Sequence, residues 1–337
     1  MDWMSLLGLA NQTLTTPSLM EFVSRFEQQI PEDVCLYVRE MYQRNLTRND
    51  RLAAQLAETV TAINARGITP VLLKGAAMLA TAPHSRWGSR LITDLDIIVS
   101  PDETEAVLDG LFALGYSLHY QTSPDVEKWR ADLKRPSDVG MIDLHRNAPG
   151  PVFFYRPAGD VLEHCKLTSI GGGSAYVPSA TYQALTLIIH DQFQDHDYWI
   201  GNIDMRHLLD LRDLANSLEG IDWDKLAALT PSKLARNALE SQLVTLSAML
   251  GVDVPIRMRT RFIPRLQYRR RLTQARFPLS RWALLATALL DYGNYRDGPG
   301  AEKRAGTDIG RRRWALPKMG TLRWLLTLSG DHRVGKV

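Results

Sequence analysis

Residues 16–65 read as helical, most clearly over 49–65, where Leu52, Leu56, Val60 and Ile63 recur at helical spacing and form one stripe. Thr16-Pro17 and Ile30-Pro31 place proline at helix starts. Glu32 and Asp33 put acids into a first turn, and Arg66-Gly67 reads as a stop. The period then changes. Short apolar runs at 69–73, 91–99, 116–120, 139–145 and 175–178 predict strands, interleaved with helices over 76–80 and 101–114. From Ser179 the pattern is helical again, with helices expected at 179–193, 199–217, 222–229, 231–250 and 278–292. The glycine-rich 298–310 stretch reads as a connection. The expected organisation is an N-terminal helical region (1–66), an α/β core (67–178) and a C-terminal helical, Arg-rich region (179–337). The mixed order of strands and helices in the core argues for an α+β fold.

Composition narrows the class. Of 337 residues, 45% are hydrophobic and 23% charged, which excludes a disordered or collagen-like chain. No apolar run reaches the roughly 20 residues a bilayer span needs. The N-terminal stretch carries Asp2 and no basic run, so it does not read as a secretory signal. Cys35 and Cys165 are too few for a disulfide framework or a cysteine zinc site. The expected compartment is the cytoplasm. The net charge of +3 hides an asymmetry. From Ile256 onward 19 Lys and Arg face five acids, leaving 21 basic and 32 acidic residues before it. Arginines at 257–271 and 311–313 are interleaved with Tyr268, Trp282 and Trp314, which suits RNA, an anionic substrate or an acidic protein. A solvated helical surface fits equally well. Trp314, Leu316, Trp324, Leu325 and Leu326 also fit an amphipathic, membrane-facing stretch.

The candidate chemistry lies in the strand 91–99. Side chains alternate faces along a strand, so Asp94 and Asp96 point one way while Leu95, Ile97 and Val99 point into a core. Two adjacent half-buried carboxylates repel each other and need a neutralising partner, for which a divalent cation is the usual answer. Hard oxygen ligands select Mg²⁺ or Mn²⁺. Asp143, in another apolar strand, completes a trio if the two strands are neighbours. Asp195/Asp197 and Asp222/Asp224 repeat the spacing in helical or loop context and read as surface or capping residues.

The order of these parts resembles the nucleotidyltransferase superfamily of the DNA polymerase β type: apolar strand, glycine turn with a short helix, Asp-x-Asp strand, then a later strand with one Asp. Leu72-Leu-Lys-Gly-Ala, Arg86…Arg90, Thr93-Asp-Leu-Asp-Ile-Ile-Val, Leu114-Gly-Tyr and Ile142-Asp-Leu-His resemble a bacterial group of that superfamily. The resemblance covers about residues 50–215. It implies a polymerase β-like core, a small mixed sheet with flanking helices, between the helical regions. It also implies transfer of an NMP from an NTP to a hydroxyl or phosphate acceptor, with release of pyrophosphate. Asp94 and Asp96 would hold two metal ions, and Asp143 one of them. Gly75 would let the backbone approach the triphosphate, with amides at Ala76 and beyond meeting its oxygens. Ala76 stands where the superfamily commonly has Ser, so one hydroxyl contact is missing; Lys74 compensates if it faces the site. Arg86 and Arg90 either clamp phosphates or act as loop residues that offset Asp94 and Asp96.

His145 shares the strand face of Asp143 and serves either as a core histidine or as a partner to a carboxylate or substrate. His190, Asp191, His196 and Asp197 have the ingredients of a metal site, but His-x5-His is not a zinc spacing and no third ligand is evident. A structural or substrate-pocket role for His190 is preferred. Gly171-Gly-Gly173 reads as a turn, and no Walker A, kinase glycine loop or Gly-x-Ser-x-Gly element is present. Two rival readings stand beside the enzyme: a nucleotide-binding or antitoxin-like regulatory module on the same scaffold, and a nucleic-acid-associated protein using its basic C-terminal region.

Overall fold

Three helices precede the first strand: α1 (Trp3–Gln12), α2 (Met20–Phe26) and the 33-residue α3 (Glu32–Asn64). Then come β1 (Val71–Leu72), α4 (Lys74–Thr81), α5 (His84–Trp87), β2 (Asp94–Ile98), α6 (Thr104–Ala113) and β3 (Ser117–Gln121). Strands β4 (Arg130–Lys134), β5 (Met141–His145), β6 (Cys165–Ile170) and β7 (Gly173–Pro178) complete a seven-stranded mixed sheet of order β3-β4-β5-β2-β1-β7-β6. The fold class is α+β. The structure is a computed structural model that describes residues 1–123, 129–148, 161–230, 232–284, 287, 291, 335 and 336. The chain divides into two units, Met1–Ala148 with Arg156–Ser179 and Pro149–Tyr155 with Ala180–Val337.

In the first unit the sheet buries one face under α3 and α6. Leu52, Leu56, Val60 and Ile63 of α3 and Val107 and Leu111 of α6 join one core with Leu72, Leu95, Ile97, Leu133, Ile142, Leu144, Ala175 and Val177. These strand residues hold the alternate positions, so the opposite face carries Asp94, Asp96, Asp132, Asp143 and His145. Strands β2 and β5 run parallel; β1 and β7 pair parallel, and the other neighbours are antiparallel. Gly171 adopts φ +57° at the tight turn between β6 and β7, as the expected glycine turn requires. Two strands were not expected from sequence, β4 and β6. Both have apolar residues at few positions, as in Arg130-Ala-Asp-Leu-Lys.

In the second unit α7 (Ala180–Ile189) loosens into a π-helical turn at His190–Gln194. The helix expected over 199–217 is two helices, α8 (Asp197–Ile200) and α9 (Met205–Ala215). Gly201, at φ +82°, ends the first. Asp204 caps the second by accepting from the amides of Arg206 and His207 at 2.9 and 3.2 Å. Then follow α10 (Trp223–Ala228), α11 (Lys233–Leu250), α12 (Phe262–Arg276) and α13 (Arg281–Leu284). Tyr198 and Trp199 pack with Phe193, Leu234 and Ala238 in an apolar core. Helix α12 escaped the sequence pattern because its buried stripe is polar: Gln267, Arg270, Arg271 and Gln274. The 298–310 connection, the arginines at 311–313 and the amphipathic residues Trp314 to Leu326 lie outside the described residues. Among the described residues, no helix is long and apolar enough to cross a membrane.

Candidate functional site

The register of β2 against β5 sets Asp96 directly opposite Asp143, and β5 against β4 sets Asp143 opposite Asp132. Strand alternation and pairing thus line up carboxylates from three neighbouring strands on one face, with Asp94 two residues before Asp96. His145 Nε2 stands 3.1 Å from Asp143 Oδ2 and 3.6 Å from Asp96 Oδ1. Asp96, Asp143 and His145 each offer a ligand atom, and these atoms lie within 4.8 Å of one another.

Lys74, the first residue of α4, reaches this row from the end of β1 and donates to Asp96 Oδ1 at 2.8 Å. Its φ of +47° is left-handed, uncommon for a residue with a Cβ. Leu73 fixes the approach, its amide bonding the Asp96 carbonyl at 3.1 Å. The expectation left open whether Lys74 faces the site or solvent; it faces the carboxylates.

Electrostatics follow from this crowding. Burial opposes the charge on Lys74, but Asp96, Asp94 and Asp143 together hold its ammonium above the usual lysine range. Burial and the neighbouring Asp96 push Asp94 up. Burial acts the same way on Asp96, yet Lys74 and His145 overcome it and hold Asp96 well below the usual carboxylate range. His145 is disfavoured as a cation by burial but raised to about 9 by Asp143 and Asp96. Burial and then Asp143 raise Asp132. Four carboxylates face Lys74 and His145, with Arg130 3.8 Å from Asp132 at the margin. Asp143 Oδ1 and Asp132 Oδ1 are buried with no hydrogen-bond partner. A row of hard oxygens with excess negative charge and an orphaned carboxylate oxygen fits a divalent cation of the Mg²⁺ type.

The remaining expected residues take varied places. A Cβ on Gly75 would meet Ile92 Cγ2 at 2.6 Å and Arg90 Nη1 at 3.0 Å, so the glycine lets Ile92 and the Arg90 guanidinium close on the start of α4. Ala76 is fully buried in the apolar core. Arg86 lies on α5, 3.6 Å from Glu21. His190 belongs to the second unit, 3.6 Å from both Asp191 and Asp195. Within the Arg-rich segment Arg270 and Arg271 are buried. Arg270 donates to the carbonyls of Tyr198 and Trp199 at 2.8 and 3.1 Å, and Arg271 to Gln242 at 2.9 Å and to Gln192. These two do not present a surface to nucleic acid, whereas Arg257, Arg259, Arg265 and Arg269 are exposed.

Sequence reasoning missed two groups. One is Asp132, readable only as the polar position between Ala131 and Leu133. The other is a polar stripe on α3. Asn45 and Asn49 both donate to the Arg90 carbonyl, at 2.9 and 2.8 Å, and also to Gly88 and Trp87. Arg48 donates to the carbonyls of Ile92 and Val139, and Gln55 to that of Gly140 at 3.0 Å. One helix therefore holds both loops that lead into the acidic strands. The signal was present as Asn45, Asn49 and Gln55 on the apolar side of a helix.

A family model described as uncharacterised nucleotidyltransferase matches residues 1–251. Among solved structures, the solution structure of the antibiotic-resistance factor ANT(2'')-Ia is similar at 16% identity, over 59% of this chain and 97% of that one, with a TM-score of 0.38. No curated protein matches the chain.

Proposed function

Because this chain belongs to the uncharacterised nucleotidyltransferase family, we propose that its carboxylate row is the centre of a metal-dependent transfer of an NMP from an NTP to a hydroxyl or phosphate acceptor. The observation that carries the reading is the β2–β5 register, which sets Asp96 against Asp143 on the face that Lys74 reaches.

In this reading an acceptor oxygen attacks the α-phosphorus. The bond from that phosphorus to the oxygen bridging to the β-phosphate breaks, and this oxygen departs with pyrophosphate. Asp94, Asp96 and Asp143 would hold Mg²⁺ or Mn²⁺, which when bound supplies charge neutralisation at the phosphates. Asp143, whose Oδ1 has no internal partner, takes the proton of an acceptor hydroxyl. Lys74 and Arg90 flank the start of α4, whose first amides lack helical acceptors and a side-chain cap. Together they make a place for phosphate oxygens.

The test is incubation of the full chain with α-labelled NTP, Mg²⁺ and a panel of hydroxyl- and phosphate-bearing acceptors. Wild type should label an acceptor, and Asp94→Asn/Asp96→Asn should not. Identical behaviour of the two across the panel removes the catalytic reading.

One observation favours a second reading, nucleotide binding without turnover. Lys74 and His145 already supply internal cations to Asp96. In that case NTP with Mg²⁺ raises the melting temperature while no label is transferred.

A further inference from the structure

The second unit holds a different cluster. His190 and Asp191 open the π-helical turn that follows α7, and His207 lies in the first turn of α9. The sequence offered no third ligand beside His190 and Asp191; the fold brings His207 to them. His207 Nδ1 stands 2.5 Å from Asp191 Oδ1, and His190 Nδ1 stands 3.6 Å from the same oxygen. The two rings meet edge to face, with centroids 5.9 Å apart. One ligand atom from each of the three residues lies within 4.8 Å of the other two. Asp191 is 1% exposed, and its Oδ2 has no hydrogen-bond partner. A buried carboxylate with an oxygen left bare is costly unless a cation meets it.

We propose that His190, Asp191 and His207 bind a divalent transition-metal ion of the zinc class, at a site separate from the carboxylate row. The donor set decides the metal. Two imidazole nitrogens and one carboxylate oxygen suit zinc, cobalt or nickel, whereas the oxygen row of the sheet suits magnesium. Three protein ligands leave an open position for water or a substrate group. Asp204 caps α9 through the amide of His207 itself, fixing where that ring starts.

The test uses the full chain and Co²⁺ as the probe, titrated in excess Mg²⁺ so that the carboxylate row of the sheet is already filled. Wild type is expected to bind one equivalent with a visible d–d band. His207→Gln and His190→Gln should each weaken binding by at least about tenfold. Asp94→Asn, in the sheet, should leave the band intact. Circular dichroism of each variant separates lost ligation from lost fold, and His190→Gln decides if His207→Gln does not fold. No Co²⁺ band in wild type, or a band that survives in the folded histidine variant, overturns the site.

Discussion

The two acidic centres of this protein are built in opposite ways. In the sheet, alternation and register force like charges together: Asp94, Asp96, Asp132 and Asp143 come from three adjacent strands and share one face. The counter-charges are Lys74, from the turn after β1, and His145, two residues along β5 from Asp143. In the helical unit, Asp191, Asp195 and Asp197 lie along one irregular turn, where His190 stands 3.6 Å from both Asp191 and Asp195 and further cations come from later in the chain. His207 meets Asp191, and Lys336 donates to Asp195 and Asp197 at 2.7 and 2.6 Å. A strand scaffold leaves an excess of oxygens for an external cation. The helical turn gathers three carboxylates as well, with two imidazoles and the Lys336 ammonium against them.

The largest expected effect tests whether the sheet centre is chemical. Asp143→Asn should lower nucleotidyl transfer by more than about a thousandfold, the several kcal/mol that ligation and proton transfer supply. Asp132→Asn, on the neighbouring strand opposite it, should cost about tenfold, because it shapes the field at Asp143 without holding phosphate or metal. Equal losses in steady-state rate would place Asp132 in the ligand set and redraw the centre around three strands.

The two lysines sharpen the contrast. Lys74→Met leaves Asp96 with His145 alone, and Lys336→Met takes the ammonium from Asp197; each costs up to about 3–5 kcal/mol. Denaturant unfolding should register both. Added Mg²⁺ should restore much of the loss in Lys74→Met, since a cation binding the folded state stabilises it by mass action. It should do less for Lys336→Met, where His190 and His207 already stand against the carboxylates that Mg²⁺ would need. Equal rescue would mean that the two centres do not differ in metal preference.

A third difference appears in pH. Burial raises Asp197 to about 7 despite Lys336. The folded state thus keeps a proton that the unfolded chain sheds near its ordinary value of 3.8. Between about pH 4 and 7 the native state binds the extra proton, so this group makes stability fall as pH rises, by at most about 1.4 kcal/mol per unit. Asp197→Asn should remove that slope in unfolding curves measured across the window. An unchanged slope would assign the pH dependence to another group.

Legibility differed between the centres for the same physical reasons. Asp94 and Asp96 could be read together because strand alternation is a two-residue rule. Asp143 could be nominated but not joined to them, since strand pairing register is not written locally. Asp132 sat in a strand with too few apolar positions to announce itself. In the helical unit the ingredients His190, Asp191 and Asp197 were visible, but His207 and Lys336 meet them only through tertiary structure. Helix α12 was invisible because its buried side is Gln267, Arg270, Arg271 and Gln274, which reverses the hydrophobic rule. The Arg-rich stretch read as a surface signal is in part an interior one.

The smallest expected effect concerns how each unit holds its polar parts in place, and buried asparagines do this in both. In the sheet unit Asn49 donates to the carbonyls of Trp87 and Arg90 at 2.7 and 2.8 Å, so it fixes backbone. In the helical unit Asn237 donates to both oxygens of Asp291 at 2.9 and 2.8 Å, so it fixes a side chain. Asn49→Ala leaves the Trp87 carbonyl without that donor, while Asn45 still serves Arg90. The cost should be about 1–2 kcal/mol of stability. If Arg90 meets phosphate, its loosened loop should raise KM for NTP more than it lowers kcat, because a displaced guanidinium weakens binding before chemistry. Asn49→Asp, which sets a buried carboxyl group against the same two carbonyls, should cost more stability than Asn49→Ala. A fall in melting temperature with KM unchanged in both would confine the α3 stripe to packing and leave Arg90 outside the phosphate site.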